Sequence, residues 1–487
     1  MWWWLLLIIP VALVALLVVM VVRALQLKPD RSSVPLAGLL TVDADAAAQR
    51  LSGAIRFETV SNQDRSLVPV EAFRGLHAYL AEAFPRVHAA LTRETVADLS
   101  LLYTWPGSDP AAAPIILMGH LDVVPVAPGT EDQWEHPPFS GEIADGFIWG
   151  RGTLDDKHSV MALLEALDGL LAVGFKPKRT VYLVFGHDEE IGGQSGAKAV
   201  AELLASRGVK ASFVVDEGMA IVDGFLPGVK RSVAMIGLAE KGYMSVQLRA
   251  GGVGGHSSMP PAATAIGLVS RAIARLEEHP FPARLIAPVE ALFTAAAPEM
   301  GLASRTIFAN LWLTRPLVLK RLTSKPNTAS QARTTTAPTI FHAGVKENIL
   351  PQEASAVVNF RLLQGDTIDS ALERIRSIVG DKRVEVTALT GMLSNPSPIS
   401  ETSSDGYATL THTIQQVFPG VLIAPSLVTG GTDSRHFIPI TRDIYRFCPM
   451  RVTPEDMGRV HGTNERQPVA DFAKIVQFYA QLIRNAG

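Results

Sequence analysis

Cysteine is all but missing: Cys448 is the only one in 487 residues. That excludes an internal disulfide framework and any zinc or iron–sulfur site built from several thiolates. An excess of one charge sign is missing too. Lys plus Arg number 44 and Asp plus Glu 47, a formal net charge of −3. The chain therefore lacks the basic surplus of a general nucleic-acid binder, and no nucleic-acid partner is expected. Charged residues make up 19% of the chain against 47% hydrophobic, a balance that excludes long-range disorder. No repeat at solenoid periods occurs. At this length about two to four domains are expected.

Long hydrophobic runs are also scarce, with one exception. Trp2 to Val22 reads WWWLLLIIPVALVALLVVMVV without a charge. At ~1.5 Å per residue it spans ~30 Å, the thickness of a bilayer core. Pro10 is tolerated there as a kink, and Trp2, Trp3 and Trp4 suit the headgroup region. A cleaved signal would have an apolar core of ~7–15 residues, a positive flank before it and a small-residue site after it. This run is longer and has neither flank. The sequence thus predicts a single-pass membrane anchor over 1–23 and a linker over 24–45. Arg23, Lys28 and Arg31 follow the run, and the positive-inside rule places that side in the cytoplasm.

Beyond the linker, short apolar runs that end in polar residues alternate with helical patterns. APIILMGHLDVVP (113–125), RTVYLVFGHDEE (179–190) and ASFVVDEG (211–218) are strands, with helices over 157–173 and 196–206 between them. This pattern predicts an α/β fold with a mostly parallel sheet covered on both faces. Ligands in such sheets bind at the carboxyl ends of the strands. From Gly242 the order becomes βαββαβ, that of a ferredoxin-like α+β unit, with an irregular insertion over 281–333. The first style resumes after Gly391. The expected organisation is a catalytic domain in two parts, 46–241 and 392–487, interrupted by an inserted domain over 242–391.

Five segments carry metal-competent side chains: MGHLDVVP with His120 and Asp122, GRGTLDDK with Asp155 and Asp156, GHDEEIGG with Glu189 and Glu190, VVDEG with Asp216, and RVHGTNER with His461. His120 and Asp122 lie two apart on a strand and face one side. Each motif alone is weak. An isolated H-x-D is more often structural, paired glutamates usually form a solvated face, and the acids of GRGTLDDK also suit a helix cap. Together they converge on one sheet edge, where buried acids need charge partners. Imidazole and carboxylate without thiolate suit Zn²⁺, with Co²⁺ or Mn²⁺ as alternatives. Two histidines and three carboxylates exceed one four-coordinate zinc and fit a two-metal centre.

With these segments, and with RTTTAPTIFHAGVKENILPQEASAVVNFRL and GGTDSRHF, the chain resembles the dinuclear zinc aminoacylase/carboxypeptidase family. The likeness runs from about residue 45 to the C-terminus and is strongest to its carboxypeptidase S and N-fatty-acyl-amino-acid synthase/hydrolase branch. The resemblance implies that His120 and Asp216 hold one zinc, Glu190 and His461 the other, and Asp155 bridges them. It implies a cis peptide between Asp155 and Asp156, and Asp122 orienting the imidazole of His120. Glu189 would be the general base in amide hydrolysis. His256, in the tight loop GGHSSMP, would stabilise the oxyanion, from the neighbouring subunit in a homodimer. Arg361 would take the substrate carboxylate, with Asn348, Gly430, Gly431 and Thr432 as further substrate contacts.

The resemblance also places the catalytic domain outside the cytoplasm, opposite to the positive-inside argument. His158, His187 and His436 are left as packing residues, because the ligand set is full, and Cys448 as core. The apolar stretch 302–322 lines an acyl site, touches the membrane or packs as lid core.

Three functions compete. One is hydrolysis, and in reverse synthesis, of N-acyl amino acids with long acyl chains. The second is a carboxypeptidase or dipeptidase using the same centre. The third is a membrane-tethered binding protein with a dead site, which predicts a missing base or ligand, whereas Glu189 and the five ligands are all present.

Overall fold

The computed structural model describes residues 5–29, 34–35 and 37–486. Trp2, Trp3, Trp4 and Arg31 lie outside these residues. The first element, α1 (Leu5–Gln26), carries a single charged residue, Arg23. It is long and apolar enough to cross a membrane or to be a signal sequence. Its side chains from Ile8 to Ala15 stand exposed, whereas Leu16, Met20, Val21, Ala24 and Leu27 are shielded by the body.

The body continues with α2 (Ala44–Ile55), β1 (Thr92–Val96), β2 (Ser100–Trp105), β3 (Ile115–His120), α3 (Lys157–Ala172), β4 (Val181–Gly186), α4 (Ala197–Ser206), β5 (Phe213–Asp216) and β6 (Val233–Glu240). There follow β7 (Gly242–Gly251), α5 (Ala265–Glu278), α6 (Ala287–Ala296), α7 (Leu302–Ala309), α8 (Leu311–Leu322), β8 (Thr335–Ala343), β9 (Glu353–Leu362), α9 (Ile368–Val379) and β10 (Val384–Ala388). The chain closes with α10 (Asp405–Val417), β11 (Leu422–Val428), β12 (Ile444–Arg446) and α11 (Val469–Ala486).

The larger sheet runs β1-β2-β4-β3-β5-β12-β6, with β11 also paired to β6. Its centre, β4-β3-β5-β12, is parallel. The flank β1-β2-β4 and the β12–β6 contact are antiparallel. Strand β3 shows why both faces are covered. Ile115 and Leu117 pack into the core beneath α2, α3, α10 and α11, while Ile116 and Met118 pack into the core beneath α4. Fully buried aliphatics of this kind stabilise by ~1.5–3 kcal/mol each. A strand buried on both faces cannot alternate polar and apolar residues, so its polar groups collect at its carboxyl end.

The second sheet runs β8-β9-β7-β10 and is antiparallel throughout. Burial alternates along β7 and β9, and α5 and α9 cover the buried face. This is the order of a ferredoxin-like unit. The segment 281–333, expected to be irregular, is instead largely helical, forming α6, α7 and α8. Its prolines do not break these helices. Pro288 sits in the first turn of α6, where no N–H is needed. Pro316 lies inside α8, but Leu311, Val318 and Leu322 are buried there. At ~1.5–3 kcal/mol each, they outweigh the ~3 kcal/mol of a mid-helix proline.

Candidate metal centre

Parallel strands deliver their carboxyl ends to one edge, and β3 ends on His120. Its Nδ1 is 2.9 Å from the main-chain carbonyl of Asp122. A carbonyl only accepts, so Nδ1 donates to it, which turns Nε2 inward. Nε2 lies 2.9 Å from Oδ1 of Asp155. The other oxygen of Asp155 is 2.9 Å from Nε2 of His461, which is also 3.2 Å from Oε2 of Glu190. One carboxylate thus stands between two imidazoles, from segments more than 300 residues apart.

Asp122 is fully buried. Its carboxylate oxygens accept the N–H groups of Glu189 and Glu190, each at 3.1 Å, and one lies 3.4 Å from Nδ1 of His120. It therefore ties the end of β3 to the turn after β4 and fixes how the two glutamates diverge. Gly192, at φ 107°, closes that turn, a conformation that side chains disfavour. The Asp155–Asp156 peptide is cis.

A residue not singled out in the sequence holds the other half together. Glu465, four positions after His461, is fully buried. Its Oε1 accepts the N–H groups of Gly152, Leu154 and Asp155 at 2.9, 2.7 and 3.2 Å. Its Oε2 accepts from Arg151 at 2.7 Å. Arg151 in turn donates to the carbonyls of His461 and Gly462. The loop that carries Asp155 and the loop that carries His461 are thereby clasped to each other. The only sequence signal was a charged residue beside a candidate ligand.

The electrostatics call for cations. Burial pushes Glu189, Glu190 and Glu217 above the usual carboxylate range. Burial acts the same way on Asp155, but hydrogen bonds from His120 and His461 outweigh it and hold that carboxyl low. His461 is pushed up to about 10 by hydrogen bonds to Asp155 and Glu190. Oε1 of Glu190 is buried without a hydrogen-bond partner among the described residues. Two groups of ligand atoms lie within 4.8 Å of one another: His120, Asp155 and Glu190, and His120, Glu189 and Glu217. An orphaned carboxylate oxygen and a nitrogen–oxygen donor set around one shared acid fit divalent metal.

The structure does not bring every expected residue to this cluster. Asp216 belongs to neither group. It is buried, and its Oδ2 accepts the N–H of Ser434 at 2.8 Å. Glu217, the next residue, has its Oε1 3.9 Å from Nε2 of His120. Thr432 is buried and bonded through its N–H and hydroxyl to Glu240, so it braces the loop. Gly430 and Gly431 are half-buried beside it. His256 and Asn348 lie exposed, next to the two-stranded ribbon that pairs His256 with Ile349. Neither has a hydrogen bond or ion pair to the cluster among the described residues. Arg361 sits on β9 opposite Tyr243 of β7, its guanidinium 4.6 Å from that ring. Tyr243 lines a cavity of about 480 Å³ together with Gly192, Met392 and Arg435, two residues from Glu190. His158, His187 and His436 contact Cys448, Ser100 and the Gly192 carbonyl respectively, and none of them belongs to either group of ligand atoms.

Known proteins share this arrangement of chain. Residues 116–485 match peptidase family M20/M25/M40. The chain is 40% identical to the N-fatty-acyl-amino acid synthase/hydrolase PM20D1 of Xenopus tropicalis, over 98% of this chain and 94% of that protein. It is 41% identical to the probable carboxypeptidase S-like 2 of Dictyostelium discoideum, over 90% of this chain and 84% of that one. Among solved structures, the M20 family metallo-carboxypeptidase Sso-CP2 from Sulfolobus solfataricus superposes with a TM-score of 0.66 at 19% identity. That match covers 90% of this chain and 99% of that one, and it reports on the fold.

Proposed function

The chain belongs to peptidase family M20/M25/M40 and is a metallohydrolase of amide bonds; from that premise we propose that it cleaves, and in reverse forms, the amide bond of N-acyl amino acids with long fatty acyl groups. The observation that carries the reading is Asp155, with each oxygen 2.9 Å from a different imidazole. That placement supports a carboxylate that two metal positions would share. We assign two Zn²⁺, with Co²⁺ or Mn²⁺ as substitutes. Glu190 and His461 would serve one position, His120 and Glu217 the other, and Asp155 both. Asp216, the ligand expected from the sequence, becomes a buried brace in this assignment.

Bound metal supplies Lewis-acid polarisation and a more acidic water. Glu189 takes the proton of the attacking water as general base. It then gives that proton to the amide nitrogen as the C–N bond breaks, releasing fatty acid and amino acid. Asp122 holds Glu189 through its backbone. Arg361, whose planar fork matches a carboxylate, takes the carboxylate of the amino acid at the edge of the cavity. We assign 46–241 and 392–487 to the catalytic body and 242–391 to a lid. His256 and Asn348 then act on lid closure, or from a second copy in a homodimer. The names of the relatives at about 40% identity support the acyl-amino-acid substrate. We read α1 as an uncleaved single-pass anchor with the catalytic body on the extracytoplasmic side.

The second reading is a carboxypeptidase or dipeptidase. The carboxypeptidase-like relative supports it, and Arg361 suits either substrate. The third, a tethered binding protein without turnover, is opposed by an intact Glu189. Mass spectrometry of amino acid released by protein lacking residues 1–30 separates them. The panel comprises C18-acyl amino acids, acetyl amino acids and dipeptides, with Glu189→Gln as control. Release from the long-acyl set, lost in the variant, is expected. Release from dipeptides alone establishes the peptidase, and no release from any substrate refutes both enzyme readings.

A further inference from the structure

Helix α8 buries one face and also exposes large apolar side chains to solvent. Leu311, Thr314, Val318 and Leu322 point into the body. Outside that buried stripe Trp312, Leu313 and Leu317 are 59%, 41% and 55% exposed, with Arg315 and Lys320 among them. A surface helix of a soluble body would set polar side chains at all of these positions, and large exposed apolar side chains clustered on one helix mark an interaction site.

What covers this face is indicated by where α1 docks. Asn310, fully buried at the corner between α7 and α8, donates from Nδ2 to the carbonyl of Met20 at 3.0 Å. Its Oδ1 accepts the indole N–H of Trp312 at 3.3 Å. Arg305 of α7 hydrogen-bonds the carbonyl of Leu27. The apolar helix thus leaves the body at this hairpin, and Trp312 sits one residue's hydrogen bonds away from it. Charge points the same way. No Asp or Glu occurs between Glu299 and Glu347, while Lys320, Arg321 and Lys325 are exposed. Tryptophan at the rim, leucines beyond it and a basic border are the composition of a helix lying in a membrane interface.

We infer that the α7–α8 hairpin rests in the headgroup layer of an anionic bilayer beside the exit of α1, so that the body is held against the membrane by two elements rather than hung from one. The inference rests on the anchor reading of α1. Cys448 is buried, so a nitroxide label goes to a single introduced cysteine. The full-length chain, in nanodiscs of phosphatidylcholine with phosphatidylglycerol, is labelled in turn through Leu317→Cys, Leu13→Cys in α1 and Val253→Cys. Val253 is 77% exposed on the second sheet's side and serves as the aqueous reference. Collisions with oxygen and with a water-soluble nickel chelate are read at each position. The expected result is a several-fold loss of nickel collisions and gain of oxygen collisions at 317 relative to 253, to a level between the labels at 253 and 13. A label at 317 that behaves as at 253, while the one at 13 stays oxygen-rich, overturns the hairpin contact and leaves the anchor standing. A label at 13 that is nickel-accessible removes the anchor and the inference together. Shielding from both reagents at 317 assigns the face to a protein partner and also overturns the inference.

Discussion

Replacing Glu465 by alanine tests whether the clasp between two loops builds the metal centre. The carboxylate accepts three backbone N–H groups and one guanidinium, all in a fully buried position. Removing one partner of a buried ion pair costs ~3–5 kcal/mol, and each buried N–H left unpaired adds ~1–3 kcal/mol. Water entering the vacated space recovers part of this, so a loss of about 3–5 kcal/mol in urea unfolding is expected. The distinctive effect is on metal. Asp155 loses the bond that fixes its own N–H, and only the bonds from Arg151 to the carbonyls of His461 and Gly462 still tie the two loops. Disrupting support of this kind costs ~10–100-fold in metal affinity, read by competition with a fluorescent chelator. Glu465→Gln should fall between alanine and the native protein. Its amide oxygen still accepts the three N–H groups, while its NH₂ faces the donor of Arg151. An Arg151→Met/Glu465→Ala pair should lose less than the sum of the single losses. The reasoning is refuted if Glu465→Ala binds metal with native affinity and unfolds within about 1 kcal/mol of the native chain.

Four further outcomes follow from the same geometry. Glu189→Gln should lower kcat by ~10²–10⁴-fold while the metal content by elemental analysis stays unchanged. Glu217→Ala should reduce bound metal per chain, whereas Asp216→Ala should lower stability first; the reverse ranking returns the ligand role to Asp216. Arg361→Ala should raise KM for an acyl amino acid with little effect on its C-terminal amide, since only the former offers a carboxylate; equal effects on both exclude a direct contact. In metal-free protein, His461 has its folded pKa raised to about 10 by Asp155 and Glu190. The stabilisation from its protonated form is then complete below its unfolded value of ~6.5 and is lost as pH rises through about 10. Thermal melts of chelated protein should decline over that window, and melts of metal-loaded protein should not show that loss, because the ring nitrogen is already engaged.

Much of the fold was legible because burial on two faces leaves a mark in sequence. Strands such as 115–120 are apolar throughout and end abruptly in His120, so both the sheet and its reactive edge could be read. The helices of 281–333 were not legible, because proline weighs on local propensity and the burial of Leu311, Val318 and Leu322 is a tertiary term. The candidate ligands were legible as residue types. Which way the side chains of Asp216 and Glu217 face was not, since it depends on how the chain turns as β5 ends. Thr432, expected as a substrate contact, is bonded to Glu240, a partner 192 residues away.

The sequence alone determined the chemistry available: nitrogen and oxygen ligands without thiolate, an apolar N-terminal helix, and acids placed at strand ends. These follow from composition and period, which are local properties. Only the tertiary structure decided which groups meet. Asp155 between His120 and His461, Glu465 closing two loops, and Asn310 receiving α1 join positions tens to hundreds of residues apart. Such contacts are set by sheet order and packing, which no local pattern encodes.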